Sequence, residues 1–156
     1  MNLRTLTAGL IALMAAAVPS AMNADTPGRH PAYLHARSDL RTAQFFMRVR
    51  EEPNVARNLA DADREVEAAI GEIDRAAMFD RKNLMDNPRV DTNLDRRHRF
   101  ERIVALLRSA RADMSREEDN PRARENRDEA CRRIDAALEH IHRAAVDLHW
   151  DRELHF

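Results

Sequence analysis

The feature that most restricts the fold is a stretch that occurs twice. Residues 64–78 read REVEAAIGEIDRAAM, and residues 132–146 read RRIDAALEHIHRAAV. Between Val66 and Ala77, six of twelve residues are identical to those 68 positions further on. Their apolar residues recur at spacings of three and four, which predicts an amphipathic helix in each copy. Two such units must bury their apolar faces against each other, so the chain should be one helical domain.

The repeat extends over a larger unit. Leu40, Ala43 and Met47 align with residues 67 positions later, and Pro53 aligns with Pro121. Each unit is predicted to be a helical hairpin, with repeat one at 31–80, a linker at 81–91 and repeat two at 92–150. The predicted fold is an all-α, antiparallel four-helix bundle built from two duplicated hairpins. The linker could lead to an adjacent helix or cross over, and the sequence leaves both routes open.

Helix boundaries follow from prolines and capping residues. Helix one is predicted from Pro31 to near Arg50, and helix two from Pro53 to Asp80, because proline fits the first helical position. Helix three is predicted to start at Asp91 or Thr92, and helix four at Pro121. The predicted core stripes are Tyr33, Ala36, Leu40, Ala43 and Met47; Leu59, Ala62, Val66, Ile70, Ile73 and Ala77; Phe100, Ile103, Leu107, Ala110 and Met114; and Cys131, Ile134, Leu138, Ile141, Ala145 and Leu148.

The N-terminus is typical of an exported protein. Residues 1–24 carry an early Arg4, an apolar run at 6–18 and small residues near Ala24, the pattern of a secretory signal peptide. The apolar run is shorter than a membrane-spanning helix requires. We therefore expect a periplasmic or secreted protein that is not inserted into a membrane after signal removal, with residues 25–30 as a flexible lead-in.

Charge and composition argue against two functional classes. Removal of residues 1–24 leaves 25 basic and 27 acidic side chains, and the two signs alternate along the chain. Nucleic-acid binding is not expected, because it requires clustered basic residues. An enzyme is not expected either, since only Gly28 and Gly71 remain to form loops and Cys131 lies on a core stripe. As the single cysteine, Cys131 cannot form an intramolecular disulfide.

Histidines near the C-terminus are the candidate metal ligands. On a helix, His142 and His149 would lie two turns apart on one flank, beside the core stripe, where Glu139 or Asp151 could add a carboxylate. Imidazole and carboxylate groups suit copper, nickel or zinc. The sequence therefore carries a predicted metal site at His142, His149, Glu139 and His140. The alternative is that these histidines complement the dipole at the end of the helix and bind no cofactor.

The sequence contains more aromatic residues than the predicted core requires. Phe45 falls off the stripe of helix one, next to Phe46 and Val49, and Trp150 and Phe156 lie near the other end of the chain. These residues either cover the end of a hairpin or form a contact patch. The contact would be with a second copy of the chain or with an unidentified protein partner.

Two resemblances follow from these residues. The signal peptide, the two hairpins and the segments KNLMDNPRVD (82–91) and SREEDNPRAR (115–124) resemble a group of small exported bacterial helical-hairpin proteins. In layout the chain is also similar to the small metal-binding protein family, whose repeats each carry histidine. Here His140 and His142 align with Glu72 and Asp74 of the first repeat. The expected function is a non-enzymatic exported binding or scaffold module, with metal binding or buffering as the alternative.

Overall fold

The part of the chain that the structure describes is built from helices. The computed structural model describes residues 31–78, 93–116, 121–150 and 152–154. These ranges contain no β-strand, and the all-α prediction is confirmed. The predicted signal peptide, lead-in and linker lie outside the described residues. The four helices are α1 (Pro31–Met47), α2 (Pro53–Met78), α3 (Arg96–Arg116) and α4 (Pro121–Asp147).

Three helices begin where the sequence predicts. Pro31, Pro53 and Pro121 are the first residues of α1, α2 and α4, as expected for a residue that lacks an amide hydrogen. α1 ends at Met47 rather than near Arg50. α2 is described to Met78, two residues before its predicted end. None of the described helices is long and apolar enough to cross a membrane.

The predicted start of α3 is wrong. The sequence analysis placed it at Asp91 or Thr92, whereas α3 begins at Arg96. Asp95 is the capping residue, because its Oδ1 accepts the backbone N–H of His98 at 3.0 Å. The His98 imidazole also contacts the Asp95 carboxylate. This pairing raises the pKa of His98, and the backbone hydrogen bond from His98 lowers the pKa of Asp95.

The core lies along the predicted stripes of the first three helices. All of their predicted core residues are buried, which confirms the helical periodicity. On α4 the prediction is partly wrong, since Leu138 and Leu148 are only partly buried. The buried face of α4 is rotated toward its alanines and includes Ala130, Ala137 and Ala144. Alanine is a weak hydrophobic signal, so the larger leucines misled the assignment of the face.

Each helix packs against two neighbours. α1 contacts α2 and α3, and α4 contacts the same two helices. In the described part of the chain the backbones of α1 and α4 do not approach each other, and neither do those of α2 and α3. The helices therefore occupy the corners of a quadrilateral, which is consistent with a four-helix bundle.

The most extensive helix contact joins α2 and α4. Alanines recur on both helices at intervals of seven residues, which is about two turns and keeps them on one face. All of them are buried, and small side chains allow the two backbones to approach closely. The alanines are Ala62, Ala69 and Ala76 on α2, and Ala123, Ala130, Ala137 and Ala144 on α4.

Enlarging one of these alanines should separate the two helices. We expect Ala69→Leu to lower the free energy of unfolding by about 1–3 kcal/mol, because the added carbons overpack a close contact. Ala60 is the matched control, since it is an exposed alanine of the same helix. Ala60→Leu should change the free energy by less than about 0.5 kcal/mol. Urea unfolding measures both, and equal effects would contradict the close α2–α4 contact.

Candidate functional site

The predicted metal ligands lie at the end of α4, but they do not form one group. Glu139, His140 and His142 lie on the helix, and His149 follows its last residue. Within the described residues, no three histidine, cysteine, aspartate or glutamate side chains come close enough together to hold a metal ion. The metal site therefore stays a prediction.

The side chains of Glu139 and His140 point in different directions although the two residues are neighbours in sequence. The Glu139 side chain is exposed and accepts a hydrogen bond from Arg143 Nη2 at 3.2 Å. Adjacent residues on a helix point about 100° apart, and His140 is half-buried against α2. Its Nδ1 lies 4.0 Å from Asp61 Oδ2 and has no hydrogen-bond partner. His140 therefore faces a carboxylate of α2 rather than Glu139.

His149 does not continue the helix on which its predicted spacing from His142 depends. Its φ angle is 59°, the left-handed conformation. The Trp150 N–H donates to Ala145 O at 2.8 Å and the His149 N–H donates to Val146 O at 2.9 Å. These two bonds form a Schellman cap, in which the left-handed position is usually glycine. The expectation that His142 and His149 share a helical flank is therefore wrong.

Glycine at position 149 should stabilise the protein. A left-handed conformation costs a non-glycine residue about 1–2 kcal/mol, so His149→Gly should raise the free energy of unfolding by about 1 kcal/mol. His142→Gly is the matched control, because it places glycine inside a helix and should lower the free energy. Thermal or urea unfolding measures both signs. A loss of stability in His149→Gly would show that the histidine side chain itself contributes to the fold.

An ion-pair cluster closes the end of the bundle near this cap. The Glu51 carboxylate is only 4% exposed and accepts hydrogen bonds from Arg96 and Arg99 at the start of α3. The Arg96 guanidinium lies 5.8 Å from the Trp150 ring centroid, and Trp150 packs edge-to-face against Phe100. The cluster ties the α1–α2 connection to α3 and to the residues after α4. Glu52 also pairs with Arg96, so two carboxylates balance the two guanidinium groups, and we assign the cluster a structural role.

A half-buried carboxylate lies between α1 and α3. Burial raises the pKa of Asp39, while a hydrogen bond from Ser109 and the charges of Arg102 and His35 lower it. A raised carboxyl pKa is a mark of many functional sites. Here the hydrogen-bond partner is a serine of the neighbouring helix, so the carboxylate contributes to the α1–α3 contact.

A cleft with a volume of about 260 Å³ lies between α3 and α4. We call it the α3–α4 cleft. Ser115 and Cys131 form part of its wall. Its charged lining consists of three arginines and two aspartates, which are Arg111, Arg127, Arg132, Asp128 and Asp135.

The arginines of the cleft form ion pairs with carboxylates. Arg111 Nε donates to Asp135 Oδ1 at 2.9 Å, which raises the pKa of Arg111. Arg127 Nη2 donates to Asp128 Oδ1 at 2.7 Å. Arg132 pairs with Glu129 at 2.5 Å. Each of these arginines is therefore paired with a carboxylate, and their guanidinium groups line the cleft.

The thiol in the cleft is unsuited to nucleophilic chemistry. Cys131 is buried, as the sequence predicts, and burial raises the pKa of its thiol. A protonated thiol is a poor nucleophile. The cleft is therefore a candidate for binding through its charged groups and not for catalysis through sulfur.

The sequence analysis missed the residues that define the cleft. It treated Cys131 only as a core residue and did not single out Ser115 or Arg127. A signal was present, because aligning the two repeats places Ser115 opposite Arg48, Cys131 opposite Asp63, and Arg127 opposite Leu59. These differences carry meaning only when the helix neighbours of each position are known.

Comparison of the chain with protein-family models, curated proteins and solved structures finds no match. The function is therefore inferred from the geometry of the described residues.

Proposed function

We propose that the protein is a non-enzymatic, exported helical-bundle module that binds or scaffolds a partner. The observation that carries this proposal is the pairing of charged side chains, many of which form ion pairs between neighbouring helices. Arg37 is an example, because its Nε donates to Asp74 Oδ1 at 2.6 Å and its side chain is only 6% exposed. Such pairs fix helix positions and favour a rigid support for surface groups.

We further infer that the neighbouring helices are antiparallel. Along α1, polar partners on α2 occur in descending order, and the same holds between α2 and α4. This order supports an up-down arrangement of the bundle. The pairs are Arg37–Asp74, Gln44–Glu67 and Arg48–Asp63 between α1 and α2, and Asn58–Asp147, Asp61–His140, Glu65–Arg133 and Glu72–Asn126 between α2 and α4.

The proposed duplication is supported by equivalent contacts in the two hairpins. Gln44 Nε2 donates to Glu67 at 2.8 Å in the first, and Arg111 donates to the equivalent Asp135 at 2.9 Å in the second. Glu65 and Arg133 align with each other in the repeats and pair with each other at 3.1 Å. A contact between equivalent residues lies on an approximate twofold axis, which relates two similar hairpins.

Export and partner class complete the proposal. The signal-peptide pattern of residues 1–24 and the resemblance to small exported hairpin proteins support a periplasmic or secreted location. Phe45 and Val49 are 47% and 39% exposed, and they lie in the last turn of α1 and just after its end. They support contact with a protein partner or a second copy of the chain. Trp150, in contrast, is partly buried against the core and contributes less to such a surface.

Transition-metal binding is the second candidate function. The observation that favours it is the His140 Nδ1 atom, which is buried, has no hydrogen-bond partner and faces Asp61 at 4.0 Å. An imidazole nitrogen and a carboxylate can both bind copper, nickel or zinc. His142, two residues further along, points to a different side of the helix, so it does not complete this group.

A calorimetric titration separates the two candidates. Copper, nickel and zinc salts are titrated into the mature protein, its His140→Gln variant and its His142→Gln, His149→Gln variant. His98→Gln is the matched control, because His98 is exposed on α3 and paired with Asp95. A binding or scaffold module should show no metal binding at about micromolar affinity. Micromolar binding that either histidine variant loses and His98→Gln keeps would replace the leading proposal with the metal one.

A further inference from the structure

The α3–α4 cleft lies where the second hairpin departs from the first. In the first hairpin, Arg48 Nε donates to Asp63 Oδ2 at 3.0 Å and joins α1 to α2. The equivalent residues of the second hairpin are Ser115 and Cys131, which are smaller and uncharged. The Ser115 hydroxyl donates to Ala112 O in its own helix, at 2.8 Å. The two helices therefore have no ion pair at this position, and the cleft opens there.

The wall of the cleft carries charged residues where the first hairpin has uncharged ones. Leu59 is fully buried in the first hairpin, whereas the equivalent residue of the second is Arg127. Asp128 likewise replaces the exposed Ala60. A cleft that arose only through loss of packing would keep apolar walls. Here a core leucine position carries a guanidinium beside the open volume, which indicates a polar occupant.

We propose that the α3–α4 cleft binds a small oxyanion, either phosphate or the carboxylates of a short organic acid. This inference rests on the proposed binding function and on the duplication. Three guanidinium groups line the cleft, and each pairs with a carboxylate, which is Asp135, Asp128 or Glu129. A guanidinium has five N–H donors, more than these pairs use, and the remaining donors are available to an oxyanion. The planar fork of arginine matches the oxygen pairs of carboxylate and phosphate, which a halide ion lacks.

The geometry of the cleft limits the size of the occupant. Its volume of about 260 Å³ is below the range of roughly 300–1,000 Å³ that is usual for drug-sized ligands. An inorganic phosphate or a four-carbon dicarboxylate is small enough for this volume. Arg132 is the arginine best placed to adjust, because its side chain is 66% exposed.

Cys131 provides a reporter for this site. It is the chain's single cysteine and lies in the cleft wall, so an occupant should slow its alkylation when this is measured at alkaline pH, where the thiolate forms. The thiol takes no part in binding. Its protection reports occupancy at this location and separates the cleft from any other cationic surface of the protein.

The experiment titrates inorganic phosphate and, separately, succinate into the full mature protein at low ionic strength, followed by calorimetry. We expect one saturable site for at least one of the two anions below about 10 mM, together with slower alkylation of Cys131. The anion that binds more tightly identifies the source. Arg132→Gln should weaken binding by about tenfold or more, because a charge-assisted hydrogen bond is lost.

The first hairpin supplies the matched control. Arg64 is the equivalent of Arg132 and pairs with Asp61 as Arg132 pairs with Glu129. Arg64→Gln should leave the affinity unchanged. A double variant, Ser115→Arg with Cys131→Asp, restores the ion pair of the first hairpin and should close the cleft and abolish binding. If that variant does not fold, Arg127→Leu restores the leucine instead and should weaken binding by about tenfold.

Two results would overturn the inference. One is no saturable binding of phosphate or succinate, and the other is binding that Arg132→Gln and Arg64→Gln weaken equally. Neither result bears on the metal titration, because the cleft contains no histidine. A failure of the oxyanion site is therefore distinguishable from a failure of the proposed function.

Discussion

The contact between the alanine faces of α2 and α4 is the constraint on which the rest of the structure depends. These are the two longest helices, and their contact is the most extensive in the bundle. Alanine at every seventh position leaves room for close approach, while Val66, Ile73, Ile134 and Ile141 fill the spaces between. α1 packs on α2 and α3 packs on α4, and α1 and α3 contact each other to complete the bundle. Because the alanines recur in both copies of the repeat, one sequence pattern provides both halves of the contact.

Ion pairs at the helix contacts differ between the two proposed hairpins. Arg37 and Asp74 form a partly buried pair in the first hairpin, and the equivalent residues of the second are Val104 and His142. Val104 is buried, so no cation there requires a carboxylate at position 142. The change from aspartate to histidine thus has a structural explanation. At the α3–α4 cleft, by contrast, lost packing is accompanied by new charge, and this difference makes the cleft the stronger candidate site.

Much of the fold could be predicted because helical periodicity is local. The stripes through Leu40 and Leu107 identify buried faces without any knowledge of neighbours. The start of α3 could not be predicted as firmly, since Asp91, Thr92, Asn93 and Asp95 all satisfy the capping rule. The left-handed cap at His149 lacks the glycine that usually marks it. The position of the cleft could not be predicted, because it depends on which residues face each other across α3 and α4. An alignment of the two repeats does not show this until the helix pairs are known.

The central claim is the antiparallel pairing of α2 and α4, and distances between paired spin labels test it most directly. In a Cys131→Ala background, labels are attached at Arg57→Cys with Val146→Cys, and separately at Arg57→Cys with Arg124→Cys, all exposed positions. The account predicts a short distance for the first pair and a distance roughly 20–30 Å longer for the second, because the two α4 sites are about 33 Å apart along the helix axis. A longer distance for the first pair than for the second would contradict it.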